Sequence, residues 1–372
     1  MGIIIGFFLA LIVPLIFLGL VRSFDFYQTG QYHIVRNSLV WGVIAYAPAT
    51  FTYSILEQFV FKNSDIIIHF IAPVYEEIFK GLILLHFIRH AKFTYSVDGA
   101  LYGFAIGTGF AIIENIFYIF DNLTEAPMIA AQRIFSADLV HAFSSAALGI
   151  ALGMYRSGTP KSKWWIPASG WLLAIIQHMI FNVLIGTKGI PYLIFFLPAL
   201  PGFLFIYIMM RIGRKQAQGW IKEKLGMDVR NSRGEVTLVD RLANAGKSLL
   251  PVVERFGAEK TDQVEKLLYL QARLGIKHKA LDGFQNNSNM YKALEAEITN
   301  ISTEITKKQR EIGTYAMLFI RKLFTYEMIS VWDQMQAKIQ ARAAETGSQK
   351  GGGLWSTLEE RVDSATENER IE

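Results

Sequence analysis

Two adjacent glutamates, Glu76 and Glu77, stand in the run Ile66–Ile88, IIIHFIAPVYEEIFKGLILLHFI, which is otherwise apolar enough to span a bilayer. An ionised carboxylate at membrane depth is costly, so such residues face an interior cavity and by default mark function. Later apolar segments add Glu114, His141 and His178. Carboxylates and imidazoles are the groups that activate water for hydrolysis, with or without a metal ion. On a helix, Glu76 and Lys80 share a face while Glu77 points about 100° away, so one carboxylate can face a cavity while the other holds Lys80 or a neighbouring helix. His178 and Asn182, four residues apart, also share a face, and Asp138 lies three residues before His141, where it could orient the imidazole. Pro73 cannot donate to the carbonyl of His69, which loosens the helix one turn above the glutamates and could admit water. Glu76, Glu77, Glu114 and Asp138 are four acids against Lys80 alone among bases. Some of them must be protonated, paired with a charged histidine or bound to a cation.

The elements that carry these residues read as membrane helices. Of 372 residues 52% are hydrophobic, concentrated before about residue 212. Scanning for about 20 apolar residues yields seven expected spans, at residues 2–21, 38–61, 66–88, 97–120, 132–154, 164–186 and 190–210. The first lacks a basic leader and a clear small-residue cleavage site, and reads as a retained helix. Residues 1–215 hold 14 Lys/Arg against 10 Asp/Glu, and residues 216–372 hold 23 against 22. The basic excess therefore flanks the spans and reads as topology, not nucleic-acid binding. Loops after odd-numbered spans carry ten basic residues against three after even-numbered ones, placing the N-terminus outside and the C-terminal part in the cytoplasm. With no cysteine, disulfides and thiolate chemistry are excluded.

With that orientation Glu76 lies ~15 Å below the outer edge, His178 ~12 Å, His141 ~10 Å and Glu114 ~9 Å. Each residue alone also fits a structural polar lock between helices, but four helices converging on one layer favour a single site. His69, His86 and His90 lack partner spacing and read as structural. Gly103 and Gly107, and Ser145, Gly149 and Gly153, form small-residue rows suited to close helix packing.

PVYEEIFKG, GFAIGTGFAIIENIFY, HAFSSAALG and HMIFN resemble, in order and spacing, the motifs of the PrsW-type intramembrane proteases, whose superfamily includes the CAAX-prenyl endopeptidases. The resemblance covers residues 70–185. It implies a polytopic helical membrane protease that cuts a membrane-anchored, single-pass substrate near the outer face, with an anti-sigma factor as the best-known substrate in site-1 type signalling. By motif matching it assigns the paired-glutamate role to Glu76 and Glu77, the second-motif acid to Glu114, the third-motif histidine to His141, and the fourth motif to His178 with Asn182. Lys80, Asn115 and Asp138 are expected to support them. Glu114 stands where the prenyl endopeptidases carry a histidine, and Lys80 replaces their arginine at a different spacing, which favours the PrsW branch.

Hydrolysis of a peptide needs an activated water, a stabilised oxyanion and a proton for the leaving amine. The expected assignment makes Glu76 or Glu77 the general base, with His178 and Asn182 at the carbonyl and His141 with Glu114 positioning water. The rival form binds Zn2+ through His141, His178 and Glu76. No HExxH is present, and the reading leans against an obligatory ion. A proton- or cation-coupled transporter, or a non-catalytic membrane scaffold of the same fold, are the competing functions; a transporter would show inverted repeats and broken helices in matching halves.

The fold class is therefore all-α: a bundle of about seven membrane helices over residues 1–212 with a cytoplasmic helical region over 213–345, and a disordered tail over 346–372. An integral protein of a bacterial plasma membrane is expected. Residues 216–250 look amphipathic. Met290, Leu294, Ile298, Ile301, Ile305 and Ile312 make a stripe suited to a helical hairpin or short coiled coil, more as a bundle seam than as a zipper. A cytoplasmic regulator or self-association through residues 261–345 is the expected partner of this region. The glycines between Gly347 and Gly353 read as a linker, and Leu354–Leu358 as a docking patch.

Overall fold

The computed structural model describes residues 1–59, 64–157, 164–186, 197, 199–227, 249–284 and 288–323. Every element among them is a helix: α1 Gly2–Ser23, α2 Tyr32–Phe59, α3 Ser64–Ile66, α4 Ala72–Phe87, α5 Ser96–Asp121, α6 Ala126–Ile134, α7 Ala137–Ser157, α8 Trp165–Gly186, α9 Ala199–Met227, α10 Leu250–Leu281, α11 Asn289–Ile312 and α12 Thr314–Leu323. Among the described residues, α1, α2, α5, the α6–α7 stretch and α8 are long and apolar enough to cross a membrane. They coincide with the first, second, fourth, fifth and sixth expected spans, and the chain is an integral membrane protein. The expected seventh span begins outside the described residues, as do the proposed linker, docking patch and tail after residue 323. Much of the amphipathic stretch 216–250 lies there too, although α9 continues unbroken through Met227.

Packing centres on α5 and α7, whose small residues allow their backbones to touch. Gly99 meets Gly149, Gly103 meets the Ser145 carbonyl and Gly107 meets the His141 carbonyl, so a methyl group at any of them would overlap a backbone oxygen. This contact fixes the register between the helices that carry Glu114 and His141. Gly107→Ala is expected to destabilise the protein by about 1–3 kcal/mol through overpacking. Gly19→Ala, where a Cβ meets nothing within 4 Å, should leave the melting temperature in detergent unchanged.

Two departures from regular helix shape the site. A π-helical turn, Ile67–Ile71, precedes α4, and Pro73 lies in the first turn of α4. The helical stretch expected over 132–154 is in fact broken at Phe135–Ser136, which leaves Arg133 on the separate helix α6. There Ala126, Ala130 and Ile134 pack with Ala10 of α1 and Ile119 of α5.

After residue 249 the predicted hairpin is present. Leu294, Ile298, Ile301, Ile305 and Ile312 are buried along α11, which packs on α10. Met290 is only half-buried and instead meets the Arg156 guanidinium, 3.3 Å from its sulfur. Positive φ at Gly257 (80°) and Gly313 (91°) turns the chain within α10 and between α11 and α12. The hairpin rests on the loop that follows α4: buried Lys277 donates to the Ala91 carbonyl and pairs with Glu297 at 3.2 Å, and Gln31 donates to Glu297 at 3.1 Å. Burial lowers the pKa of Lys277, against the pull of Glu297.

Candidate active site

Five helices deliver the polar residues to one place. Glu77 is fully buried and accepts hydrogen bonds from Lys80 Nζ and, at 3.0 Å, from His178 Nδ1. The helix that carries it is held from both sides, since Trp171 Nε1 donates to the Glu77 carbonyl and Trp41 Nε1 to that of Phe79, each at 3.0 Å. Glu76 is 6% exposed and behaves differently. Its Oε2 lies 3.6 Å from His178 Nε2 and 4.0 Å from His141 Nδ1, and among the described residues it has no hydrogen-bond partner. The two imidazoles meet edge to face, with centroids 4.7 Å apart.

Each imidazole is oriented by a carboxylate on its far side. Glu77 holds His178 through Nδ1, which turns Nε2 toward Glu76. Glu114 holds His141 through Nε2 at 2.8 Å, which turns Nδ1 inward. Lys80 Nζ lies 3.1 Å from that Nδ1 and 4.6 Å from the Phe110 ring centre. An ammonium can only donate, so Nδ1 is the acceptor and Nε2–H the donor to Glu114.

A second layer fixes the first. Arg133 Nη2 donates to Glu114 at 2.5 Å, its Nε to Asn115 Oδ1 at 2.6 Å, and its guanidinium lies 3.8 Å from the Tyr118 ring centre. The Asn115 amide nitrogen reaches both Asp138 oxygens at 2.9 Å. The acids Glu76, Glu77, Glu114 and Asp138 thus face two bases, Lys80 and Arg133. Arg133 is one of the three basic residues counted with the loops after even-numbered spans, and the imbalance of four acids against one base was the signal that it belongs to the site.

Two expected roles are corrected. Asp138 orients Asn115, not His141, whose two ring nitrogens are taken by Glu114 and Lys80. Among the described residues Asn182 makes no hydrogen bond to the carboxylate cluster and donates instead to the Ile68 carbonyl at 2.9 Å. In the π-helical turn Ala72 N–H bonds Ile67, so the carbonyl of Ile68 would need the N–H of residue 73, which is a proline. Pro73 therefore frees Ile68 where an α-helical count names His69, and Asn182 supplies the missing donor. Asn182→Ala should cost about 1 kcal/mol in the wild type and clearly less in a Pro73→Ala background, as a double-mutant cycle of melting temperatures would show.

Glu76, His141 and His178 offer ligand atoms that all lie within 4.8 Å of one another. The unpartnered Glu76 oxygen and two inward-turned imidazole nitrogens, each backed by a carboxylate, form a donor set that fits a divalent ion such as Zn2+ once Lys80 gives up His141 Nδ1, which it holds at 3.1 Å.

Residues 31–210 match the PrsW family intramembrane metalloproteases. Protease PrsW of Bacillus subtilis (strain 168) is 30% identical over 144 residues, 38% of this chain and 65% of that protein. Protease PrsW of Oceanobacillus iheyensis is 27% identical over 183 residues, 49% of this chain and 82% of that protein. Protease PrsW of Geobacillus kaustophilus is 26% identical over 166 residues, 44% of this chain and 72% of that protein. The chain thus spans slightly under two thirds of the Bacillus subtilis relative. No solved structure matches it. Residues 31–210, just under half of the chain, are thus similar to the PrsW family of intramembrane metalloproteases.

Proposed function

We infer that this chain is a membrane-embedded peptidase that hydrolyses a peptide bond of a single-pass membrane protein. The observation that carries this is the pair of carboxylate-backed imidazoles turned toward one unpartnered glutamate inside an apolar helix bundle. Seven spans with the N-terminus outside, as the loop charges suggest, would put this site in the outer half of a bacterial plasma membrane and residues after α9 in the cytoplasm. An anti-sigma factor in site-1 type signalling is the substrate class the relatives' family suggests.

Glu76, His141 and His178 would hold a divalent ion, which when bound lowers the pKa of water and polarises a carbonyl. The rest of the chemistry belongs to side chains. In the form without an ion, Glu76 takes a proton from the attacking water and returns it to the leaving amine. Glu77 keeps His178 Nε2 facing the reaction centre, and Glu114 with Arg133 keeps His141 Nδ1 there. Lys80 adds a positive charge where the tetrahedral oxyanion develops. The apolar walls exclude bulk water and strengthen each of these interactions.

Comparative membrane proteomics of the native host, wild type against a Glu76→Gln/Glu77→Gln double variant, tests the reading. A single-pass protein should accumulate uncut in the variant; an unchanged set of membrane fragments overturns it. Elemental analysis of the purified chain distinguishes the two chemical forms. About one zinc per chain, lost in His141→Ala and His178→Ala, is the expected result, and full cleavage by metal-free protein would leave the glutamate form alone.

A further inference from the structure

On the far side of α7 from the glutamates, the helices do not close on one another. A cavity of about 860 Å³ separates α1, α7 and α9, walled by aromatic and aliphatic side chains such as Phe17, Leu139, Phe143 and Phe203. That volume lies within the range of ligand-binding cavities, ~300–1,000 Å³. A smaller space of about 160 Å³ continues from it, sharing Val21, Phe24, Phe143 and Phe203, and ends at Arg211 and Arg214 of α9. The channel is thus apolar along its length and basic at one end, the end that the loop charges assign to the cytoplasm.

The arginines are held in place by rings, leaving their charge available. The Arg214 guanidinium lies 3.9 Å from the Phe26 ring centre and that of Arg211 lies 5.4 Å from Tyr207. Among the described residues neither makes an ion pair. A transmembrane peptide is a poor occupant, because Leu139 and Phe143 sit two residues either side of His141, about 200° round the helix. The body of α7 would stand between such a peptide and Glu76. A molecule with long apolar chains and one anionic head matches both the walls and the end.

We propose that this groove is a binding site for an anionic diacyl phospholipid, with acyl chains between α1, α7 and α9 and its phosphate on Arg211 and Arg214. The site is separate from the carboxylate cluster and does not depend on the peptidase reading.

The test is native mass spectrometry of the full chain, delipidated in neutral detergent and titrated with phosphatidylglycerol or with phosphatidylcholine of the same acyl chains. Wild type should favour phosphatidylglycerol by roughly tenfold. Arg211→Gln/Arg214→Gln should reduce that preference to within about twofold, and Arg211→Lys/Arg214→Lys should keep most of it. Leu139→Trp, which fills the apolar part, should weaken both lipids. Equal binding of the two lipids by wild type overturns the proposal, as does a preference that survives loss of both arginine charges. If the glutamine variant does not fold, a diazirine phosphatidylglycerol cross-linked to wild type decides the matter. Label on α1 and α9 beside Phe17 and Phe203 is expected, and label confined to other helices overturns the site.

Discussion

Glu76→Gln is expected to lower cleavage of a membrane-anchored substrate by roughly 10²–10⁴-fold while shifting the melting temperature of the purified chain by no more than ~2 °C. The asymmetry follows from what Glu76 touches. Its Oε2 is buried without a hydrogen-bond partner, and the imidazole nitrogens that face it, His178 Nε2 at 3.6 Å and His141 Nδ1 at 4.0 Å, lie beyond hydrogen-bond distance. A neutral amide of the same shape removes the proton acceptor and breaks no contact of the fold. Cleavage of a fluorogenic single-span substrate in proteoliposomes, with thermal unfolding on the same sample, checks both halves. Retained cleavage would reject Glu76 as the base. Lost cleavage with a large fall in melting temperature would make it a structural lock.

Glu77→Gln should behave in the opposite way, losing stability first. Glu77 is the buried acceptor for both Lys80 and His178. Its removal strands an ammonium that is 1% exposed, and breaking a buried ion pair from one side costs about 3–5 kcal/mol. Unfolding some 10 °C earlier is the expected result, with activity down about 10–100-fold because His178 loses the group that aims its Nε2. Glu77→Gln/Lys80→Met removes both charges together and should recover most of the stability, since a buried pair replaced as a unit costs little. Activity should not recover with it. A double variant no more stable than Glu77→Gln alone would show that the ion pair is not what Glu77 contributes. Measured side by side, the two substitutions separate the glutamate that handles the proton from the one that holds its partners.

Much of this protein is legible in one dimension. Apolar stretches of bilayer length and four ordered motifs identify a polytopic helical membrane protein and the family that residues 31–210 resemble. Helical rise alone places Glu76, Glu114, His141 and His178 at similar depth on four helices, and the folded chain brings them within a few ångströms of one another. Helical phase alone separates Glu76 from Glu77. The glycine rows of α5 and α7 are also readable, because small residues four apart leave a groove on any helix.

What sequence could not decide is which partner each group meets, because that depends on rotation and translation between helices. Phase shows that the two glutamates diverge, but only the packing of α4 against α7 and α8 turns Glu76 to the imidazoles and gives Glu77 to Lys80 and His178. The break at Phe135–Ser136 moves Arg133 off the α7 axis and onto Glu114 and Asn115, and Asp138 holds Asn115, not His141. Pro73 announces a weak point, but an α-helical count names the wrong orphan carbonyl; the π-helical turn adds a residue, and Asn182 answers Ile68. Local covalent geometry thus sets the period and depth of these polar side chains. Their partners are set by long-range packing of small residues and by two irregular turns, where one residue more or less rotates everything beyond it by about 100°.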